Sequence, residues 1–251
     1  MKSKHKNILI VFDASGHTTV SMRIATELAV KMQAGIHALY IEDNNLLNAV
    51  ELPFTREVSL QTAAKSHIDS ASMMQKFRAD AENIKRQIEE MALTHRVSLS
   101  FSSMRGQKVQ VIKNRTEEVN MVFIPATFSI RTGKQHMYKR HEIILVYEDD
   151  SPSSQKSLNI ALSQAAKKNY QLIIFVNTDQ SKQHVDKILR QKGKHATCQV
   201  ADFSSLDEVI LLLQKHTPAL LVLPDDSSLV QDEKNLNKLI NFLQSDILLV
   251  R

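Results

Sequence analysis

The sequence predicts an α/β protein built from two doubly wound, Rossmann-like parallel-sheet domains in tandem. Apolar runs of strand length are followed directly by turn residues and then by helical patterns, which is typical of parallel strands covered on both faces. The chain also repeats itself, because residues 8–12 (ILIVF) match residues 143–147 (IILVY) at an offset of 135. No glycine- or proline-rich tether separates the two copies, so we expect them to pack together.

The first half alternates strands with helices. A strand at 8–12 leads into a helix that stops near Gly35, since glycine suits a helix C-terminus. Three more strands are predicted at 36–41, 97–101 and 121–124, with helices at 62–94 and 107–118. At 1.5 Å per residue the helix at 62–94 would be about 50 Å long, so a break near 69–72 is the alternative.

The second half repeats this plan with one strand more. Its first strand, 143–147, is followed by Ser151 as a helix cap and by Pro152 at the first helical position. Ser205 and Glu208 form a capping box before another helix. The remaining predicted strands are 172–176, 196–200, 219–223 and 246–250, and the helices lie near 184–190, 206–215 and 234–243.

The predicted domains are residues 1–140 and 141–251, related by a pseudo-twofold axis, with a separate sheet in each. Residues 125–141 are polar and weakly periodic, which indicates a loop between the domains. The first half has no clear fifth strand, so its sheet edge is expected to be closed either by the terminal strand, 246–250, or by residues 126–141. Removal of residues 245–251 should then destabilise the whole chain, and a homodimer should use the 62–94 helix.

Composition excludes several classes of protein. The 251 residues are 43% hydrophobic and 24% charged, which argues against a disordered or fibrous chain. Residues 1–141 carry a net charge of +7, but the basic residues are scattered, so a nucleic-acid partner is not expected. No apolar run approaches the ~18 residues of a membrane span, and the single Cys198 forms no intrachain disulfide. We therefore expect a cytoplasmic protein without a membrane partner.

Catalytic and metal-binding motifs are missing from the sequence. It contains no H-E-x-x-H or C-x-x-C pattern and no G-x-S-x-G elbow. Gly133-Lys134 lacks the upstream glycine of a phosphate-binding loop. We therefore expect no metal site and no enzymatic activity. Asp13, directly after the first strand, has two open roles, as a cap on the next helix or as a ligand contact; its counterpart in the repeat is Glu148 or Asp149.

The sequence resembles the universal stress protein family in its two-domain form. The resemblance rests on Asn7-Ile-Leu-Ile-Val-Phe-Asp13-Ala-Ser15, on residues 38–43 (ALYIED), on residues 46–58, and on the closing 245–251 (SDILLVR). In that family each domain is a doubly wound sheet, and many members bind ATP. The resemblance implies nucleotide contacts by Asp13 with Ala14 and Ser15, by the backbone at Ile41, and by a G-x-x-G-x9-G-[ST] loop after the fourth strand.

That loop is degenerate in both halves. The pattern falls on Ala126, Ser129, Lys139 and Arg140 in the first half and on Asp225, Ser228, Lys238 and Leu239 in the second. Glycine lets backbone N–H groups approach phosphate oxygens, and a side chain intrudes there. Asp225 and Asp226 would also repel phosphate in the second half. In the first half Lys134 and Lys139 offer an alternative clamp through their side chains.

The sequence therefore predicts a non-enzymatic stress-response binding or regulatory module without a cofactor. Its partner would be an unidentified protein or small ligand. One alternative is an ATP-binding, slowly hydrolysing protein that uses Asp13 and the basic loop of the first half. The other is a nucleic-acid-associated protein.

Overall fold

A computed structural model of the chain describes residues 7–15, 19–53, 55–58, 65–116, 118–126, 142–168, 170–192, 198–203, 205–216, 218–243 and 245–251. The first half contains β1 (Asn7–Asp13), α1 (Thr19–Met32), β2 (Gly35–Asp43), α2 (Asn44–Val50), β3 (Arg56–Val58), β4 (Lys65–His67), α3 (Ser70–His95), β5 (Leu99–Gly106), α4 (Lys108–Thr116) and β6 (Met121–Ile124). The second half contains β7 (Glu142–Tyr147), α5 (Pro152–Lys168), β8 (Gln171–Val176), α6 (Asp179–Lys192), β9 (Cys198–Asp202), α7 (Leu206–His216), β10 (Leu220–Pro224), α8 (Ser228–Gln231), α9 (Glu233–Phe242) and β11 (Asp246–Val250).

Within these described residues, nine strands form one sheet in the order β5-β2-β1-β6-β11-β10-β7-β8-β9. The order β5-β2-β1-β6 is that of a doubly wound unit, and β9-β8-β7-β10-β11 repeats it with a fifth strand. The register repeats as well, since Ile8 pairs with Ile36 and Ile143 pairs with Leu172. The predicted α/β fold class is confirmed.

The two halves meet where β11 pairs antiparallel with β6. The expectation of a separate sheet in each half is therefore wrong. The physical reason is that the described residues of the first half contain no strand beyond β6, so β6 would present unpaired N–H and C=O groups, and β11 pairs with them. Of the two expected ways to close this edge, the terminal strand is the one observed; residues 127–141 lie outside the described residues. The domain division at 140/141 stays a prediction.

Helices cover both faces of the sheet. The helices α1, α3, α5 and α6 pack on one face, and α4, α7, α8 and α9 pack on the other. The strands β6, β7, β10 and β11 are buried along their whole length, which explains their continuous apolar sequences. Because β11 is antiparallel to β6, the carboxyl ends of the strands point to opposite ends of the sheet in the two halves.

The long helix predicted at 62–94 begins later than expected. Asp69 accepts a hydrogen bond from the backbone N–H of Ser72 at 2.8 Å and caps α3 at Ser70. The residues before it contribute β4, which pairs antiparallel with β3 in a separate two-stranded sheet. The predicted break near 69–72 therefore marks the start of the helix. The prediction that a homodimer would use this helix is not tested.

Candidate functional site

Asp13 is the last residue of β1, at the end of the sheet where doubly wound folds bind ligands. Its Oδ2 atom lies 2.7 Å from Nζ of Lys108. Its Oδ1 atom accepts hydrogen bonds from the backbone N–H of Ser15, at 2.9 Å, and from the Ser15 hydroxyl. Protein groups therefore engage both carboxylate oxygens. The bonds to Ser15 lie ahead of α1, which begins at Thr19, so they order the turn after β1.

Lys108 reaches Asp13 because the connection from β5 to α4 is tight. The strand ends at Gly106 and the helix begins two residues later. A Cβ atom on Gly106 would lie 2.8 Å from a methyl group of Val111, too close for any other residue without a shift of that side chain. Glycine at this position therefore lets the first turn of α4 pack against the strand end.

The Asp13–Lys108 ion pair is largely shielded from solvent, with side chains that are 11% and 12% exposed. Burial alone would raise the pKa of Asp13. The positive charge of Lys108 and the hydrogen bonds from Lys108 and Ser15 outweigh burial and hold the pKa of this carboxyl group below its ordinary value. Asp13 is thus a carboxylate at neutral pH whose charge is balanced within the chain.

A cleft of about 580 Å³ adjoins this pair, and we call it the inter-half cleft. Its first-half walls are residues 13–15, the end of β2 and the start of α2 with Asp43, Asn45 and Leu46, and the turn and first residues of α4 at 107–110. Its remaining wall is one face of α9, a helix of the second half, with Glu233, Lys234, Asn237, Ile240 and Asn241. The cleft therefore needs both halves of the chain.

The structure brings only some of the predicted site residues together. Ala14 and Ser15 line the inter-half cleft beside Asp13. Ile41 is fully buried in the core on the α4 side of the sheet, away from the cleft lining. Ala126 lies just after β6 and is 8% exposed. Lys134 and Lys139 lie outside the described residues.

Asp246 accepts the backbone N–H of Ala126, the residue on which the first position of the loop pattern falls in the first half. Asp246 begins β11 and is fully buried. Its Oδ1 atom accepts the N–H of Ala126 at 2.8 Å and the hydroxyl of Ser21, on α1, at 2.7 Å. A carboxylate of the second half therefore holds an amide that the family pattern would direct at a ligand.

Glu148 has an equivalent role in the second half. The sheet register makes it the counterpart of Asp13, because Phe12 and Tyr147 hold equivalent places in β1 and β7. Its carboxylate accepts the N–H of Ser228 at 2.8 Å and the hydroxyls of Ser227 and Ser228 at 2.9 Å each. Both strand-end regions thus contain a carboxylate bound to the amide of a loop position.

Asp225 is a second acidic residue at the end of the sheet where Glu148 lies. Its Oδ1 atom accepts the hydroxyl of Ser153 at 2.9 Å. Burial raises the pKa of Asp225, and the neighbouring Asp226 acts in the same direction. A further negative charge here, such as a phosphate group, would be electrostatically unfavourable.

The sequence patterns did not predict that the site includes Lys108, Asp246 and the bonds of Glu148. Asp13 and Lys108 are 95 positions apart in the sequence, and Ala126 and Asp246 are 120 apart. No local motif links such pairs. The repeat offered one signal. When the strands of the two halves are matched, Lys108 is equivalent to Asp207 and Ala126 is equivalent to Asp225.

Neither a metal cluster nor a membrane span is found in the described part of the chain. No group of three or more His, Cys, Asp or Glu side chains there is arranged to hold a metal ion. None of the helices in the ranges given above is long and apolar enough to cross a bilayer.

No protein-family model and no curated protein matches the sequence. Solved structures are similar to it to different degrees. A universal stress protein from Archaeoglobus fulgidus DSM 4304 gives a TM-score of 0.53 at 9% identity, with 97% of this chain and 96% of that chain covered. A functionally unknown protein from Pseudomonas aeruginosa PAO1 gives 0.49 at 10% identity, with 98% and 92% covered. A universal stress protein in complex with cAMP gives 0.33 at 19% identity, with 43% and 95% covered. The chain has the fold of universal stress proteins.

Proposed function

We propose that this protein is a non-enzymatic binding or regulatory module of the universal stress protein family, in its two-domain form, and that it acts in a stress response without using ATP. The fold supports the family. The inter-half cleft supports a binding role, because it is open, has both polar and apolar lining residues, and is of a size that suits a small molecule. The partner would be a protein or a small ligand.

The observation that carries this proposal is the pair of internal carboxylates at the loop amides. Asp246 accepts the N–H of Ala126, and Glu148 accepts the N–H of Ser228. A phosphate group seeking these donors would have to displace a carboxylate that is already bonded to them. The two anions would also repel each other at short range. Nucleotide binding in the manner of the family is therefore disfavoured in both halves.

Both carboxylate oxygens of Asp13 already have partners within the protein. A nucleotide contact would require it to give up the Lys108 ammonium at 2.7 Å or the Ser15 donors. Breaking a charge-assisted hydrogen bond costs roughly 1.5–3 kcal/mol unless the ligand replaces it. This cost disfavours the alternative ATP-binding function, in which Asp13, Lys134 and Lys139 would be the contacts.

Titration calorimetry of the full chain with Mg²⁺ and ATP tests the proposal. We expect no saturable heat at millimolar ATP and no phosphate release above background. If the chain binds ATP, and Asp13→Ala abolishes binding while Lys134→Ala and Lys139→Ala weaken it, the ATP-binding alternative replaces this proposal. Arg86→Ala, which removes an exposed cation of α3 outside the cleft lining, is the matched control and should change nothing.

A further inference from the structure

The lining of the inter-half cleft is rich in side-chain amides. Five contribute to it, from three helices and one turn: Asn45, Gln107, Gln110, Asn237 and Asn241. Each amide carries two N–H donors and a carbonyl acceptor. Asn237 and Asn241 are already ordered, because Nδ2 of Asn241 donates to Oδ1 of Asn237 at 3.0 Å. Such a lining matches ligand groups that both donate and accept hydrogen bonds, above all hydroxyls.

The charges of the lining do not favour an anion. Three carboxylates, Asp13, Asp43 and Glu233, face two ammonium groups, Lys108 and Lys234. Asp13 and Lys108 neutralise each other, and Asp43 accepts the N–H of Asn45 at 2.8 Å as the cap of α2. Formally the lining has one negative charge in excess. A polyphosphate would be repelled, and an uncharged ligand meets no such cost.

The cleft also offers apolar contact. Leu46, Val109 and Ile240 contribute to its walls. Leu46 is 38% exposed, and a ligand in the cleft would cover part of that apolar surface. Polyhydroxylated molecules combine hydroxyl edges with C–H faces, so they complement both the amides and these side chains.

We propose that the inter-half cleft binds a neutral polyhydroxylated small molecule, a sugar or a polyol, and that Asn237 and Asn241 hydrogen-bond its hydroxyls. This inference rests on the proposed binding function and names its ligand class. Since α9 belongs to the second half and the remaining walls to the first, the ligand bridges the two halves. One site of this kind is expected in each chain.

Saturation-transfer NMR on the full chain tests the proposal, with trehalose, glucose and myo-inositol as probes. This method detects bound ligand directly, so general stabilisation by sugars does not interfere. We expect saturable transfer from at least one probe. The variant Asn237→Ala/Asn241→Ala should weaken it at least tenfold, and alanine preserves the helix. The matched control is Asn83→Ala/Gln87→Ala, since these α3 residues form the same amide pair one turn apart, at 3.3 Å, outside the cleft lining.

The outcomes separate this proposal from the proposed function. If none of the probes binds and ATP does not bind either, the ligand class is wrong and the ATP-independent module stands. Saturable ATP binding that displaces a probe would overturn both. Probe binding that survives Asn237→Ala/Asn241→Ala would place the ligand elsewhere and overturn the assignment to the cleft.

Discussion

At the scale of single residues, the site is governed by internal neutralisation of charge. Asp13, Glu148 and Asp246 follow or begin buried strands, and each accepts hydrogen bonds from protein donors. A buried carboxylate without donors would be strongly destabilising. These residues therefore stabilise the strand ends, and the inter-half cleft adjoins Asp13.

The Asp13–Lys108 pair gives a pH-dependent prediction. The folded-state pKa of Asp13 lies below its ordinary value, so the pair stabilises the fold above the unfolded-state pKa of about 3.9 and this contribution is lost as the pH falls through the folded-state value. Asp13→Asn should lower the free energy of unfolding by about 1.5–3 kcal/mol at pH 7. Urea denaturation at pH 7 and pH 3 should show the difference between variant and parent shrinking at pH 3.

A double variant provides the control for this pair. Asp13→Asn/Lys108→Met removes both charges, so it should cost less than the sum of the two single changes, by about 0.5–3 kcal/mol. Strict additivity, or an Asp13→Asn effect that is equal at pH 7 and pH 3, would show that the two side chains do not interact in solution.

At the scale of elements, strands covered on both faces were predictable and short polar elements were not. The strands β1, β7 and β11 have continuous apolar sequences because helices cover both sides of the sheet. The hairpin of β3 and β4 and the short helix α8 lack such a signal, since three or four residues carry no usable period. The partners of Asp13 and Ala126 were hidden for a different reason, because strand order, and not sequence distance, brings them together.

The pairing of β11 with β6 predicts a large effect from one core leucine. Leu248 is fully buried in β11 and pairs with Phe123 of β6. Leu248→Ala should lower the free energy of unfolding by about 2–5 kcal/mol, through lost burial and the cavity left behind. Leu93→Ala is the control, because Leu93 is 79% exposed and its loss should cost under about 0.5 kcal/mol. Equal effects of the two changes in urea denaturation would exclude β11 from the core.

At the scale of the whole molecule, the halves are joined by more than one strand pair. Lys31 of α1 donates to the backbone carbonyl of Ser163 on α5 at 3.1 Å. Lys113 of α4 donates to the carbonyl of Gln231 at 2.7 Å, and the N–H of Arg251 donates to the carbonyl of Asn120 at 3.0 Å. The first two bonds come from helices on opposite faces of the sheet. These bonds strengthen the connection between the halves beyond the continuous hydrogen-bonded sheet that runs from β5 to β9.

This arrangement predicts that the chain unfolds as one cooperative unit. Because β11 is the edge strand of the second half and the neighbour of β6 in the first, neither half can unfold without exposing the paired strand edge of the other. Scanning calorimetry should therefore give a single transition, with a calorimetric enthalpy equal to the van 't Hoff enthalpy. Leu248→Ala should lower the midpoint of that transition without splitting it. Two resolved transitions, with Leu248→Ala shifting only the transition of the second half, would mean that the β6–β11 contact contributes little to stability. The halves would then fold independently.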